Sequence, residues 1–147
     1  MPKLVKDGFK GRIYCTPATY DLTEVLLYDS AHIQESDTKF MNKKRAAMHK
    51  PPFFPLYTQE DVRKAMTHFV KAEYNEVFEI LPGVKVHYTD AGHIAGSAAV
   101  HLDVTENGFS KKITFTGDVG RYNTPILRSP ASFRQADIII CESTYAD

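Results

Sequence analysis

The sequence predicts an α/β layer fold, and three patterns carry that prediction. Two stretches place apolar residues at helical spacing, several alternate apolar with polar residues as half-buried strands do, and Ile138-Ile139-Ile140-Cys141 is apolar at consecutive positions, as in a strand covered on both faces. In chain order, Met1 to Lys10 sets Leu4, Val5 and Phe9 among lysines before Gly11 and reads as the tail of a helix. Gly11 to Cys15 reads as a short strand. Thr16-Pro17 then supplies an N-cap and a proline at the first helical position. The helix that follows carries Leu22, Val25, Leu26 and Ile33 on one face, which is expected to pack on a sheet.

From Lys39 to Lys50 the chain turns basic, through Lys43, Lys44, Arg45, His49 and Lys50, until Pro51-Pro52 breaks any helix. This cluster reads first as a solvated helix face before a loop; contact with phosphate is the other reading. Thr58 caps a second helix, with Asp61 as its capping-box partner and Val62, Met66, Phe69 and Val70 as the apolar stripe. Val84, Val86 and Tyr88 then alternate with Lys85 and His87, and Val100, Leu102 and Val104 with His101 and Asp103. Asn107-Gly108 is a turn dipeptide that joins Ala98–Thr105 to Lys111–Thr116 as a hairpin.

At 147 residues the chain has the size of one domain or part of one, and its 18 Lys and Arg balance its 18 Asp and Glu. Net charge therefore announces no nucleic-acid partner, and RNA contact would need a local groove. The two cysteines, Cys15 and Cys141, lie in apolar strand-like stretches and read as reduced thiols in a cytoplasmic chain. No apolar run approaches the roughly 18 residues of a membrane span, and no signal segment is present.

Three polar residues follow directly on predicted strands, where α/β proteins gather their sites: His93, Asp118 and Glu142. His93 sits in a loop of small residues that leaves its imidazole clear, and Asp118 stands between Gly117 and Gly120, where an unusual turn can expose a carboxylate. A paired-zinc site takes neutral imidazoles and one oxygen donor shared by two ions roughly 3.5–4 Å apart. His93 and Asp118 are the right types for two of those positions, although a lone loop histidine is more often a surface residue. His87 and His101 are expected to face away from the apolar side of their strands, without a chemical role.

The segments Gly92-His93-Ile94-Ala95-Gly96-Ser97-Ala98, Phe115-Thr116-Gly117-Asp118-Val119-Gly120-Arg121 and Asp137-Ile138-Ile139-Ile140-Cys141-Glu142-Ser143-Thr144-Tyr145 resemble, in order and spacing, three successive signatures of the β-CASP metallo-β-lactamases. Asp29-Ser30-Ala31-His32-Ile33-Gln34-Glu35 is similar to a segment of their ribonuclease branch. The resemblance runs from Pro2 to Asp147. It implies part of a metallo-β-lactamase-type αββα sandwich with a mixed β-sheet, residues 1–147 forming a partial domain that ends where a β-CASP domain would begin. His93 maps onto a zinc ligand, Asp118 onto the carboxylate that bridges two zinc ions, and Glu142 onto the acid of the first β-CASP motif, a catalytic helper beside the site. Ala146 stands where that motif usually has glycine.

The implied activity is zinc-dependent hydrolysis of RNA phosphodiesters. Arg121 is a candidate phosphate contact, with a structural ion pair as its other reading. His32 is a candidate contact to the RNA path, with a helix-terminal cap as the alternative. The family's main metal motif, His-x-His-x-Asp-His, occurs nowhere in the chain. The chain is therefore expected to be inactive alone as one side of a split site. The alternatives are a noncatalytic scaffold module of the same fold, or a hydrolase directed at DNA or at esters. Elements missing from the sandwich would leave apolar surface uncovered, so self-association is a further expectation.

Overall fold

The computed structural model of the chain describes residues 1–144. They form two compact units, Met1–Tyr14 with Tyr20–Val70, and Cys15–Thr19 with the chain from Lys71 onward. The elements are α1 (Pro2–Lys6), β1 (Ile13–Cys15), α2 (Pro17–Ala47), α3 (Gln59–Met66), β2 (Phe69–Lys71), β3 (Val77–Leu81), β4 (Val84–Asp90), β5 (Ala98–Glu106), β6 (Phe109–Phe115) and β7 (Ile138–Ile140). β1 and β2 make a two-stranded ribbon, and the other strands form a mixed sheet in the order β3-β4-β5-β6-β7.

The first unit is organised by α3. The hydroxyl of Thr58 accepts the Asp61 N–H at 3.3 Å, and the Asp61 carboxylate accepts the Thr58 N–H at 2.9 Å, completing the expected capping box. Asp61 also takes the Lys6 ammonium at 2.9 Å, which ties α1 to the start of α3. Thr58→Ala removes the Thr58 hydroxyl that accepts the Asp61 amide and is expected to cost about 1 kcal/mol in urea unfolding, with Thr58→Ser near neutral. Val62 and Met66 then pack on Ala31 of α2, ringed by Tyr20, Leu27, Tyr28, Tyr57 and Phe69.

That packing corrects the expected face of α2. Leu22, Val25, Leu26 and Ile33 are exposed, and the helix instead buries Ala31 and Thr38. The small side chain of Ala31 lets another helix approach closely, which a row of leucines at the same place would prevent. Through the basic stretch α2 stays helical to Ala47. It ends where His49 enters the left-handed region (φ 53°), with the Lys50 N–H on the Arg45 carbonyl at 2.9 Å and the His49 N–H on Ala46 at 3.0 Å.

In the second unit the predicted hairpin is present as β5 and β6. Asn107 and Gly108 both take positive φ, 50° and 81°, as a two-residue hairpin turn requires. Strand β4 is buried on both faces, with Val86 and Tyr88 on one and His87 and Thr89 on the other. His87 and His101 thus do not face solvent. They pair across β4 and β5 with ring centroids 5.3 Å apart, and Phe133 lies 6.5 Å from His101. The two nitrogens of His101 meet the hydroxyls of Thr89 and Thr114, each at 2.9 Å, whereas those of His87 have no partner among the described residues. Burial pushes both imidazoles below the ordinary histidine value.

β7 also departs from expectation. Ile138, Ile139 and Ile140 are about half exposed, because β7 is an edge strand paired with β6 alone, in parallel. Asp137 anchors its start: its carboxylate accepts the Lys112 N–H at 2.8 Å, and its own N–H donates to the Lys112 carbonyl at 2.9 Å. The Lys112 amide, and after it the Lys111 ammonium, hold the Asp137 carboxyl below its ordinary 3.8. A carboxyl depressed in the folded state stabilises it above the ordinary value, and that contribution is lost as pH falls through the depressed one. The Lys112 amide resonance is therefore expected to titrate in NMR with a midpoint below 3.8, and Asp137→Asn to abolish the transition.

Candidate metal centre

β5 runs antiparallel to both β4 and β6, and β6 runs parallel to β7, so β4, β6 and β7 all end at one edge of the sheet. The loops leaving those ends carry His93, Asp118 and Glu142. The three line one cleft of about 560 Å³ with Gly92, Val119, Gly120, Arg121, Thr124, Leu127 and Thr144. A second cavity of about 470 Å³, lined by Tyr74, Asp90 and Arg128 among others, takes in Ile94, Ala95 and Gly96 of the same histidine loop.

The histidine loop is held by its own polar atoms. Ser97 Oγ accepts the amides of His93 at 3.1 Å and Ile94 at 3.3 Å, and Asp90 Oδ1 accepts the Gly92 amide at 2.8 Å. Thr16 and Thr19 donate their hydroxyls to the Gly96 carbonyl at 2.8 and 2.9 Å. Gly96 has φ +86°, and a Cβ there would meet the Thr19 amide and hydroxyl at 2.6 Å, so two constraints demand glycine. Thr16 also accepts the Thr19 N–H at 3.3 Å, which makes the N-cap of α2 a support of this loop.

The aspartate turn is pinned from two sides. The Gly120 N–H donates to the Ala91 carbonyl at 2.8 Å, and the Val119 N–H donates to Glu142 Oε1 at 2.7 Å. The other oxygen, Oε2, accepts the Thr144 hydroxyl at 2.7 Å. The Val119 amide first, the Thr144 hydroxyl next and His93 last hold Glu142 below its ordinary 4.5, so it is a carboxylate at neutral pH. His93 Nε2 stands 3.7 Å from Asp118 Oδ2, with both side chains open to solvent, 45% and 69% exposed.

An imidazole and a carboxylate thus converge on one accessible space backed by a second carboxylate, a donor set suited to a borderline-soft divalent ion. Two donors are fewer than the three protein ligands a catalytic zinc commonly takes, and no group of three or more His, Cys, Asp or Glu able to hold a metal occurs among the described residues. The donors therefore fit a metal as one part of a larger ligand set.

Of the other sequence-predicted residues, Arg121 lines the same cleft, is exposed and has no ion pair among the described residues. His32 belongs to the first unit, exposed in the middle of α2, which removes its reading as a helix-terminal cap. Tyr145 and Ala146 of the acidic motif lie outside the described residues. Thr16, Thr19, Asp90 and Ser97 were missed as site residues. Asp90 and Ser97 had a local signal, their place in the loop around His93, whereas the threonines lie about eighty positions away and had none.

No family model matches the chain. Among curated proteins it is similar over its whole length to transcription termination factor FttA of Methanosarcina mazei, at 32% identity over 149 residues. FttA of Pyrococcus abyssi is 35% identical over 138 residues, which is 93% of the chain. Ribonuclease TTHA0252 of Thermus thermophilus is 29% identical over 147 residues, the whole chain. The chain spans 21%, 19% and 29% of the lengths of these three relatives, respectively. The chain is thus related over its whole length to the FttA factors and to ribonuclease TTHA0252, and its mixed sheet, consistent with part of a metallo-β-lactamase-type fold, gathers His93, Asp118 and Glu142 at one end.

Proposed function

We propose that this chain supplies one side of the dinuclear zinc centre of a β-CASP-type ribonuclease, as part of a metallo-β-lactamase domain, residues 1–147, that ends where a β-CASP domain would begin. One observation carries the reading: His93 Nε2 and Asp118 Oδ2 lie 3.7 Å apart in an open cleft, in a chain similar throughout to a named ribonuclease. His93 would ligate one zinc ion and Asp118 would bridge two. When bound, the ions would acidify a water and offset charge on the phosphodiester.

The chain's own residues do the rest. Glu142, ionised and fixed by Val119, holds the aspartate turn in place and presents its carboxylate to the cleft. Arg121, exposed at the rim, would meet a phosphate oxygen. His32 is proposed as a contact to the RNA outside the cleft. RNA is thus the proposed substrate and partner, and the cytoplasm the proposed compartment. No helix among the described residues is long and apolar enough to cross a membrane.

Elemental analysis after dialysis, on this chain beside the intact protein that carries it, tests the reading. Zinc on the intact protein alone, with cleavage of an RNA oligonucleotide, supports it. Stoichiometric zinc on this chain alone means the ligands are misassigned. Zinc on neither favours the second reading, a noncatalytic module, which the two-donor site supports. Cleavage of DNA or an ester in preference to RNA would redirect the substrate.

The exposed isoleucines of β7 and the exposed row Leu22, Leu26, Ile33 and Phe40 on α2 support a further proposal, that the chain self-associates. Light scattering is expected to show mass rising with concentration, and a monomer at high concentration overturns it.

A further inference from the structure

Outside the cleft, the most uneven charge in the molecule lies at the end of α2. Residues 39–56 hold Lys39, Lys43, Lys44, Arg45 and Lys50 and no Asp or Glu, in a chain whose net charge is zero. Aromatic rings are interleaved with these cations. The Lys44 ammonium sits 4.4 Å from the centroid of the Phe40 ring, and the Arg45 guanidinium 6.0 Å from that of Phe53.

The loop that follows is built to hold its rings outward. Asn42 clamps Phe53 through both backbone groups, its amide donating to the Phe53 carbonyl at 2.9 Å and its carbonyl oxygen accepting the Phe53 N–H at 3.0 Å. Arg45 Nε donates to the Pro51 carbonyl at 2.7 Å. Prolines at 51, 52 and 55 stiffen the segment. Phe54, between the clamp and Pro55, is left 80% exposed, on a loop whose ordering cost is already met within the fold.

We infer that this basic and aromatic surface binds single-stranded RNA, with Phe54 stacking on a base and Lys43, Lys44 and Lys50 meeting the flanking phosphates. A solvated helix face needs neither exposed phenyl rings nor a clamp that presents them. A strand with charged phosphates and open base faces uses both features. The inference rests on the proposed function in taking RNA as the strand, and it requires no metal.

The test is fluorescence anisotropy of a labelled oligouridylate titrated with the 147-residue chain, in chelator, at several salt concentrations. Saturable binding is expected, weakening with salt at a slope of log K on log salt of about −2. Phe54→Ala should weaken it about 5- to 100-fold and Phe54→Tyr restore it. Lys43→Ala with Lys44→Ala should flatten the slope by about 1.4. No binding, unchanged affinity in Phe54→Ala, or binding to anionic lipid vesicles in place of the oligonucleotide overturns the inference. Binding that appears only when zinc replaces the chelator also overturns it, by assigning the affinity to the cleft. Chelator-resistant, Phe54-dependent binding alongside an intact protein that neither holds zinc nor cleaves RNA would retain this surface and discard the catalytic reading.

Discussion

Gly120→Ala is expected to destabilise the chain by about 3–5 kcal/mol, among the largest effects of any single substitution, although it adds one methyl group. Backbone freedom is not the cause, because Gly120 has no positive φ. The cause is space: a Cβ would lie 1.6 Å from the Gly92 carbonyl oxygen and 2.7 Å from the His93 nitrogen. Those atoms are backbone and cannot swing aside as a side-chain tip would. The aspartate turn must then leave the histidine loop, breaking the bond from the Gly120 N–H to the Ala91 carbonyl beside Ala91, which is 1% exposed. Gly108→Ala is the control. It carries a positive φ, +81°, but its Cβ would meet nothing within 4 Å, so only strain of about 1 kcal/mol is expected. Urea unfolding of both variants checks the argument, and equal losses would sink it.

Asp118→Ala is expected to behave in the opposite way, sparing the fold and removing the chemistry. The side chain is 69% exposed, and His93 Nε2 stands 3.7 Å from it, so unfolding of the chain should change by less than about 0.5 kcal/mol. On the proposed reading Asp118 is shared by two metal ions, and its loss in a longer protein that contains this chain is then expected to lower kcat/KM on RNA at least about 1000-fold and reduce bound zinc. Glu142→Gln keeps the shape but weakens the hold on the Val119 amide, and about a 10- to 100-fold loss is expected. Steady-state cleavage and zinc content measured on the same preparations decide it. Full zinc and activity in Asp118→Ala would remove the aspartate from the site.

Local rules are enough to specify parts of this fold. Thr58 with Asp61, and Asn107 with Gly108, each specify geometry over four residues or fewer, and both formed as expected. Local periodicity misleads where tertiary packing chooses between two faces. Helical spacing picks out Leu22, Leu26 and Ile33 as a stripe, yet Ala31 is the residue that admits α3. Alternation along β4 sends His87 outward, while the chain around Phe133 and Arg134 covers that side. For the cleft, the three strand-end residues were legible because strand ends are readable. The supports that position them, Thr16 and Thr19 on Gly96, come from distant sequence and have no local signature.

Three identical isoleucines in a row pose a problem for β7. A strand's register is normally chosen by which side chains suit which face, and Ile138, Ile139 and Ile140 offer no such choice. A slip of one residue would move Glu142 about 3.3 Å along the sheet edge, too far to reach the Val119 amide. What distinguishes the correct register lies at the two ends, where Asp137 holds the Lys112 amide at 2.8 Å and Glu142 holds Val119 at 2.7 Å. The two acids thus work as a vernier, fixing by polar contact an alignment that the apolar residues between them leave degenerate. Glu142 is accordingly a ruler mark for the whole strand as well as a member of the cleft.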